Sequence, residues 1–231
     1  MPSGSSFLRL IVEEVLDNPD VAKVYLKLVR EMEKSICMPM SSIINFMKSS
    51  NLKYEVEELA IDLVKLDMLI EASMDKLVQA MGYVSISGPT FYTTPNFTRY
   101  AIKSRCKTLE SPSDIAKLLG FTKYFKEIKA KNVEKRSILA LRLALESKTG
   151  YLSVTEIRDL ALRHGFKAED LPELIPEMKG LDLLIPIVEA TGALKIFLKG
   201  EPPYYKVPKF LTLGLKSLLS KFEKAFIGLR C

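Results

Sequence analysis

Apolar residues recur at helical spacing along most of this chain. Two segments, 53–66 and 167–181, place apolar side chains three or four positions apart, as one buried face of a helix requires. Short runs with glycine or proline at their ends interrupt this pattern and are typical of small strands. The remaining predicted helices of the pattern are two longer ones, 21–34 and 134–147, and two short ones, 40–52 and 152–166. The pattern therefore predicts a mainly α protein with small β-hairpins.

The strand-like segments repeat. "SGPTFYTTP" at 87–95 aligns without a gap with "GEPPYYKVP" at 200–208, and "LDMLI" at 66–70 has the counterpart "LDLLI" at 181–185. Proline cannot donate to a strand ladder, so each strand is expected to end at its last proline. A hairpin of 83–87 with 90–94 is predicted in the first half. The matched residues are Phe91 with Tyr204, Tyr92 with Tyr205 and Pro95 with Pro208.

Each half of the chain is thus predicted to run helix, short helix, turn, helix, β-hairpin. That order resembles the winged-helix fold, and its repetition resembles a tandem winged-helix protein of the transcription-associated or chromosome-associated type. The resemblance covers 21–95 and 134–208 and implies that the quoted segments are wing tips and last strands. Two unrelated aromatic strands remain an alternative. The strand aromatics are expected to pack on the helices rather than to stack on bases.

Three further segments complete the predicted organisation. Residues 1–20 form an N-terminal helix, 96–133 a basic helical linker, and 209–231 an amphipathic C-terminal helix with an apolar stripe. This stripe could cover the protein's own core, a twofold mate or another partner. Because two amphipathic terminal helices need covering, a homodimer is expected.

Charge is distributed unevenly along the sequence. The net charge is +6, but 1–98 carries −4 and 137–194 carries −3, whereas 99–136 carries +7 and 195–231 carries +6. Clustered Lys and Arg are the usual footprint of phosphate contacts, although a solvated helix face explains any one of them. The candidate nucleic-acid-binding residues are Arg99, Lys103, Arg105, Lys107, Lys123, Lys126, Lys129, Lys131, Lys195, Lys199 and Lys206. Lys135 and Arg136 extend the same run.

The third helix of each unit is acidic. In a winged helix that reads DNA this helix enters the major groove, and negative charge there opposes the phosphates. The resemblance instead implies a protein-binding surface, with Glu55, Glu58, Asp62, Glu169, Glu173 and Glu177 as candidate partner-binding residues. We therefore expect a non-enzymatic, DNA-associated protein that contacts phosphates of double-stranded DNA through the linker and second wing. The alternative is a protein-interaction scaffold that binds no nucleic acid.

Sequence signatures of catalysis are missing. The only histidine, His164, stands at a predicted helix end, where a cation suits the helix dipole. The three cysteines have neither disulfide nor zinc spacing, and no phosphate-binding glycine motif occurs. No enzyme activity, cofactor or metal is expected. With no apolar run of about 18 residues and no signal-peptide pattern, we expect no membrane association and a cytoplasmic location. The single glutamine is typical of thermophilic proteins.

Overall fold

The computed structural model describes residues 6–50, 52, 54–82, 89–104, 111–147, 150–187 and 204–221. The protein is mainly helical and carries two small antiparallel sheets of three strands each. The helices are α1 (Phe7–Leu16), α2 (Pro19–Ser35), α3 (Met40–Lys48), α4 (Val56–Lys65), α5 (Met74–Met81), α6 (Asn96–Ala101), α7 (Pro112–Leu118), α8 (Phe121–Glu127), α9 (Val133–Glu146), α10 (Val154–Arg163), α11 (Leu171–Gly180) and α12 (Lys209–Lys221), with a 3₁₀ turn at Ala168–Asp170.

The last strand of each half is the central strand of its sheet. In the first sheet β3 (Phe91–Thr93) lies between β1 (Met38–Pro39) and β2 (Ile70–Glu71). In the second sheet β6 lies between β4 and β5. These strands are β4 (Tyr151–Ser153), β5 (Ile185–Pro186) and β6 (Tyr204–Lys206). The aromatic pairs of the repeat therefore occupy the centre of both sheets.

Two details of the predicted hairpins need correction. The predicted partner of the first aromatic strand, 83–87, lies outside the described residues, and both neighbours of β3 are instead β1 and β2. Helix α5 follows β2 and was not predicted. It begins at the cap Ser73, whose hydroxyl accepts a hydrogen bond from the Lys76 amide, and ends at Gly82 in the left-handed conformation. A glycine favours that conformation because it has no Cβ.

The same order of elements occurs twice. The first half runs α2, β1, α3, α4, β2, α5, β3, and the second runs α9, β4, α10, α11, β5, β6, so the described elements match apart from α5. Helices α1 and α8 precede the two halves, and α6 and α12 follow them. Helix α1 packs on α12, and α8 packs on α6, so the helix before each half contacts the helix after the other. The contacts between the flanking helices therefore join the two halves to each other.

A leucine–aspartate turn in the second half holds the start of α6. Asp182 adopts a left-handed conformation (φ 54°), and its Oδ2 accepts hydrogen bonds from the Asn96 amide at 2.7 Å and from Lys76 Nζ at 2.6 Å. The Phe97 amide donates to the Leu181 carbonyl at 3.1 Å. These bonds satisfy amide groups at the first turn of a helix, which have no partner within the helix.

The equivalent turn in the first half holds the start of α12 in the same way. Asp67 is also left-handed (φ 58°), and its Oδ2 accepts from the Lys209 amide at 3.0 Å while its other oxygen pairs with Lys206. The Phe210 amide donates to the Leu66 carbonyl at 2.9 Å. Because the two sets of bonds are reciprocal and join matching positions, the halves are docked about an approximate twofold axis.

The described residues of the segment predicted as a helical linker, 96–104 and 111–133, form helices that pack in the core. These helices are α6, α7 and α8, whose apolar side chains join the same buried cluster as both halves. The buried members include Phe97, Ile115, Leu119, Phe121 and Phe125. The predicted helical character is thus present in these described residues, and their apolar side chains pack against both halves.

The terminal helices cover each other. The apolar face of α1 lies against α12, whose residues Phe210, Leu211 and Leu215 are fully buried. The described part of the predicted C-terminal helix, 209–221, and α1 have their cover within the chain, so the homodimer predicted from two uncovered helices loses that reason. Residues 222–231 of the predicted helix lie outside the described residues. Among the described residues, none of the helices has the length and apolar character needed to cross a bilayer.

Candidate nucleic-acid interface

Helix α8 presents two lysines on its outer face. The helix begins after Gly120, which is left-handed (φ 78°), and buries Phe121 and Phe125 against the core. Lys123 and Lys126, three positions apart, are exposed on the opposite side. Residues at that spacing are neighbours on a helix surface, so the two ammonium groups form one basic site.

The turn after α8 adds two more exposed lysines. Lys129 (φ 55°) and Asn132 (φ 50°) are both left-handed, and between them the chain reverses towards α9. Lys129 and Lys131 are exposed. We call Lys123, Lys126, Lys129 and Lys131 the lysine patch. None of the four side chains makes an ion pair or hydrogen bond with another described residue.

Two tyrosines fix α8 on the body of the protein. Tyr124 OH donates to the Glu177 carbonyl at 3.0 Å, and Tyr100 OH donates to Glu127 Oε1 at 3.1 Å. Their rings lie edge to face, with centroids 5.7 Å apart. Burial, aided by nearby carboxylates, raises the pKa of each phenol to about 12. Both phenols therefore remain donors at neutral pH, and the one carboxylate within the patch, Glu127, has a partner.

Two other predicted phosphate contacts, Arg99 and Lys103, already have partners within the chain. Arg99 Nη2 donates to the Ile36 carbonyl at 2.9 Å and to Thr93 Oγ1 at 3.2 Å. Burial lowers the pKa of this guanidinium. Lys103 pairs with Glu33, so neither cation is free in the way that the patch lysines are.

The remaining basic residues divide into two groups. Lys206, on the central strand of the second sheet, pairs with Asp67 in the leucine–aspartate turn of the first half. The second group comprises Arg105, Lys107, Lys195 and Lys199, which lie outside the described residues. Only the lysine patch therefore brings several predicted contacts together on one described surface.

Arg136 joins the basic run to an acidic helix. Its side chain is 2% exposed, and its Nε donates to Glu177 Oε2 at 2.5 Å and its Nη2 to Glu173 Oε2 at 3.1 Å. Nη1 donates to the Lys131 carbonyl at 2.7 Å, and the guanidinium lies 5.9 Å from the Phe166 ring centroid. Two predicted partner-binding carboxylates thus hold α11 on α9.

The acids of the two third helices therefore differ in availability. On α4, Glu55 and Glu58 are exposed and have no ion-pair partner among the described residues. Asp62 is paired with Lys65 at 3.2 Å. Near α11, Glu169 lies 3.8 Å from Lys167. Of these two acidic helices, α4 therefore has the more unpaired charge among the described residues.

Sequence reasoning missed three exposed apolar side chains beside these charges. Ile61 is 54% exposed on the outer side of α4, Tyr54 is 49% exposed just before that helix, and Ile128 is 42% exposed at the end of α8. The strand aromatics behave as expected only in part, since Tyr205 is fully buried whereas Tyr204 is 51% exposed. A sequence signal for Ile61 existed, because it falls opposite the buried stripe of α4 that contains Leu59 and Leu63.

His164 differs from its predicted role as a cation at a helix end. Burial, reinforced by Arg142, lowers the pKa of its imidazole. The neutral form is therefore favoured at neutral pH. No group of three or more His, Cys, Asp or Glu residues that could hold a metal ion occurs within the described ranges.

Comparison of the chain with protein-family models, with curated proteins and with solved structures gave no match.

Proposed function

We propose that this protein is a tandem winged-helix protein that binds the backbone of duplex DNA through the lysine patch. Apart from α5, which lies between β2 and β3, both halves have the order helix, strand, helix, helix, strand, strand with the last strand central, and this supports the fold assignment. The observation that carries the function is the patch itself. Four exposed ammonium groups lie within nine residues and have no partner in the described chain.

Such a surface suits phosphates rather than base edges. Each lysine that neutralises a phosphate releases condensed counterions, and this gain is independent of sequence. The element that a winged helix would place in the major groove is α4 or α11, and both carry net negative charge. We infer that binding is largely non-specific and that the acidic helices face away from the DNA.

Charge reversal tests this assignment. The variant Lys123→Glu/Lys126→Glu/Lys129→Glu should weaken binding to a random 30-base-pair duplex by at least about tenfold at low salt, since three phosphate contacts become repulsive. The matched control is Lys23→Glu/Lys27→Glu/Lys34→Glu. It makes the same change in net charge on the exposed side of α2 and should bind within about twofold of the parent. Equal weakening of both variants, or of neither, would remove the patch from the account.

A second candidate is a protein-interaction scaffold without DNA binding. Exposed Tyr54 and Ile61 beside unpaired Glu55 and Glu58 favour it, because apolar side chains rimmed by charge are typical of docking surfaces. Parent protein that fails to bind the duplex even at low salt would select this candidate.

A further inference from the structure

The two unpaired surfaces of this chain are complementary to each other. We infer that the outer face of α4 in one copy docks on the lysine patch of a second copy, in a head-to-tail contact that DNA displaces. The occupant of the α4 face is thus another molecule of the same chain. The displacement by DNA rests on the function proposed above, whereas the contact itself does not.

The α4 face consists of Tyr54, Glu55, Glu58 and Ile61. Glu58 and Ile61 lie three positions apart on α4 and are therefore neighbours on its surface. Tyr54 and Glu55 stand immediately before the first residue of the helix, with Glu55 as its N-cap. The helix turns its other side to the core, where Leu59 and Leu63 are buried. The result is two exposed apolar side chains, one before α4 and one on its outer side, with two carboxylates that have no ion-pair partner among the described residues.

The lysine patch has the matching composition. Ile128 is 42% exposed and lies in sequence between Lys126 and Lys129, so the patch includes an exposed aliphatic side chain as well as four ammonium groups. The exposed aliphatic side chain of the patch can pack on the apolar side chains of the α4 face, while the lysines pair with the two carboxylates. Such complementarity accelerates encounter and selects the partner, although it gives only modest affinity.

One copy does not satisfy both surfaces by itself. Helix α8 is tied to α11 through Tyr124 and Glu177, whereas α4 packs on α3 in the other half of the chain. No hydrogen bond or ion pair joins the α4 face to the patch among the described residues. Because the two surfaces differ, their contact is heterologous, and it builds open chains unless the rotation closes a ring.

Sedimentation velocity of the parent and two variants tests the contact. The parent should form larger species as its concentration rises at about 50 mM salt and should lose them near 200 mM. The variants Glu55→Lys/Glu58→Lys (the α4 variant) and Lys123→Glu/Lys126→Glu (the patch variant) should each associate at least about tenfold more weakly. An equimolar mixture of the two variants should associate again, because each then offers the charge that the other lacks.

The outcomes separate this inference from the proposed function. An α4 variant that assembles like the parent, a mixture that stays dispersed, a parent that remains monomeric at low salt, or a salt-insensitive dimer would each overturn the head-to-tail contact. At concentrations too low for assembly, the α4 variant should bind the duplex at least as well as the parent. Loss of DNA binding by the patch variant alone supports the proposed function whatever the assembly result. Duplex DNA added to the assembled parent should dissolve the larger species, and their persistence would overturn the proposed displacement.

Discussion

Phe97 and Phe210 stack on each other across the boundary between the two halves, with ring centroids 5.8 Å apart and planes inclined by 14°. They are 113 residues apart and hold the same place in the repeat, the second residue of the helix that follows the last strand. Each ring also meets another aromatic ring edge to face, Phe121 for Phe97 and Tyr25 for Phe210. The approximate twofold axis therefore passes close to a buried aromatic pair.

Truncating either ring should destabilise the whole protein. Phe97→Ala and Phe210→Ala are each expected to lower the free energy of unfolding by about 3–5 kcal/mol, because both side chains are fully buried. In a double-mutant cycle measured by urea unfolding, their coupling should be about 0.5–1.5 kcal/mol. Tyr204→Ala, on an exposed strand position, is the control and should have little effect. Independent unfolding of the two halves in the parent would contradict the shared core.

Asp67 and Asp182, the aspartates of the two leucine–aspartate turns, should stabilise the protein by more than their left-handed backbone conformation explains. Asp67→Ala and Asp182→Ala remove the acceptors for two helix-start amides and for two lysines. We expect a loss of about 1.5–3 kcal/mol each, as for hydrogen bonds to a charged group. Asp17 shares the left-handed backbone (φ 47°) but is exposed, so Asp17→Ala reports the conformational part. If all three variants lose the same free energy of unfolding in denaturant, the hydrogen bonds of Asp67 and Asp182 to the helix starts contribute nothing to stability.

The carboxylates of the two acidic helices should respond differently to removal. Glu177→Ala leaves the buried Arg136 without its closer partner, and removing one member of a buried ion pair costs about 3–5 kcal/mol. Glu58→Ala removes an exposed, unpaired charge and should change stability by about 0.5 kcal/mol or less. Thermal unfolding of both variants checks this contrast. A Glu177→Ala protein as stable as the parent would contradict the stabilising role of the Arg136–Glu177 ion pair.

His164 should make stability fall on acidification. Its pKa is lowered in the folded protein, so below the ordinary value of about 6.5 the unfolded chain binds the proton more readily. The contribution is fully present above that value and is lost as the pH falls towards the folded pKa. In urea unfolding between about pH 7.5 and 5, His164→Gln should lose less stability than the parent. Identical pH profiles of the two proteins would contradict the shifted imidazole.

The repeat was predictable because its signals are local. Amphipathic spacing predicted α2, α4, α9 and α11 within a few residues, and the paired aromatic segments predicted β3 and β6. Helix α5 was missed because it buries none of its residues in the core, so its apolar positions did not stand out from the strand runs around it. The role of the two leucine–aspartate turns in joining the halves was also missed. Their leucine–aspartate sequences were visible in both halves, but a bond from Asp67 to Lys209 depends on the arrangement of the halves rather than on sequence spacing.

The candidate interface could be predicted only in part. Composition showed that basic residues cluster in 99–136, but the sequence did not separate the exposed Lys126 from the buried Arg136. That separation depends on which face of α9 meets Glu177, a contact between residues 41 positions apart. Exposed Tyr54 and Ile61 were overlooked because apolar residues on a helix are ordinarily assigned to its buried side.

The salt dependence of duplex binding tests the central claim most directly. We would measure fluorescence anisotropy of a labelled random 30-base-pair duplex with the parent protein across a series of salt concentrations. Each phosphate neutralised contributes about −0.9 to the slope of log K against log salt, so the four patch lysines predict a slope of about −3 or steeper. The triple charge-reversal variant should show a slope nearer zero. A parent that binds with a slope close to zero, or that does not bind at low salt, would contradict a phosphate-contacting lysine patch.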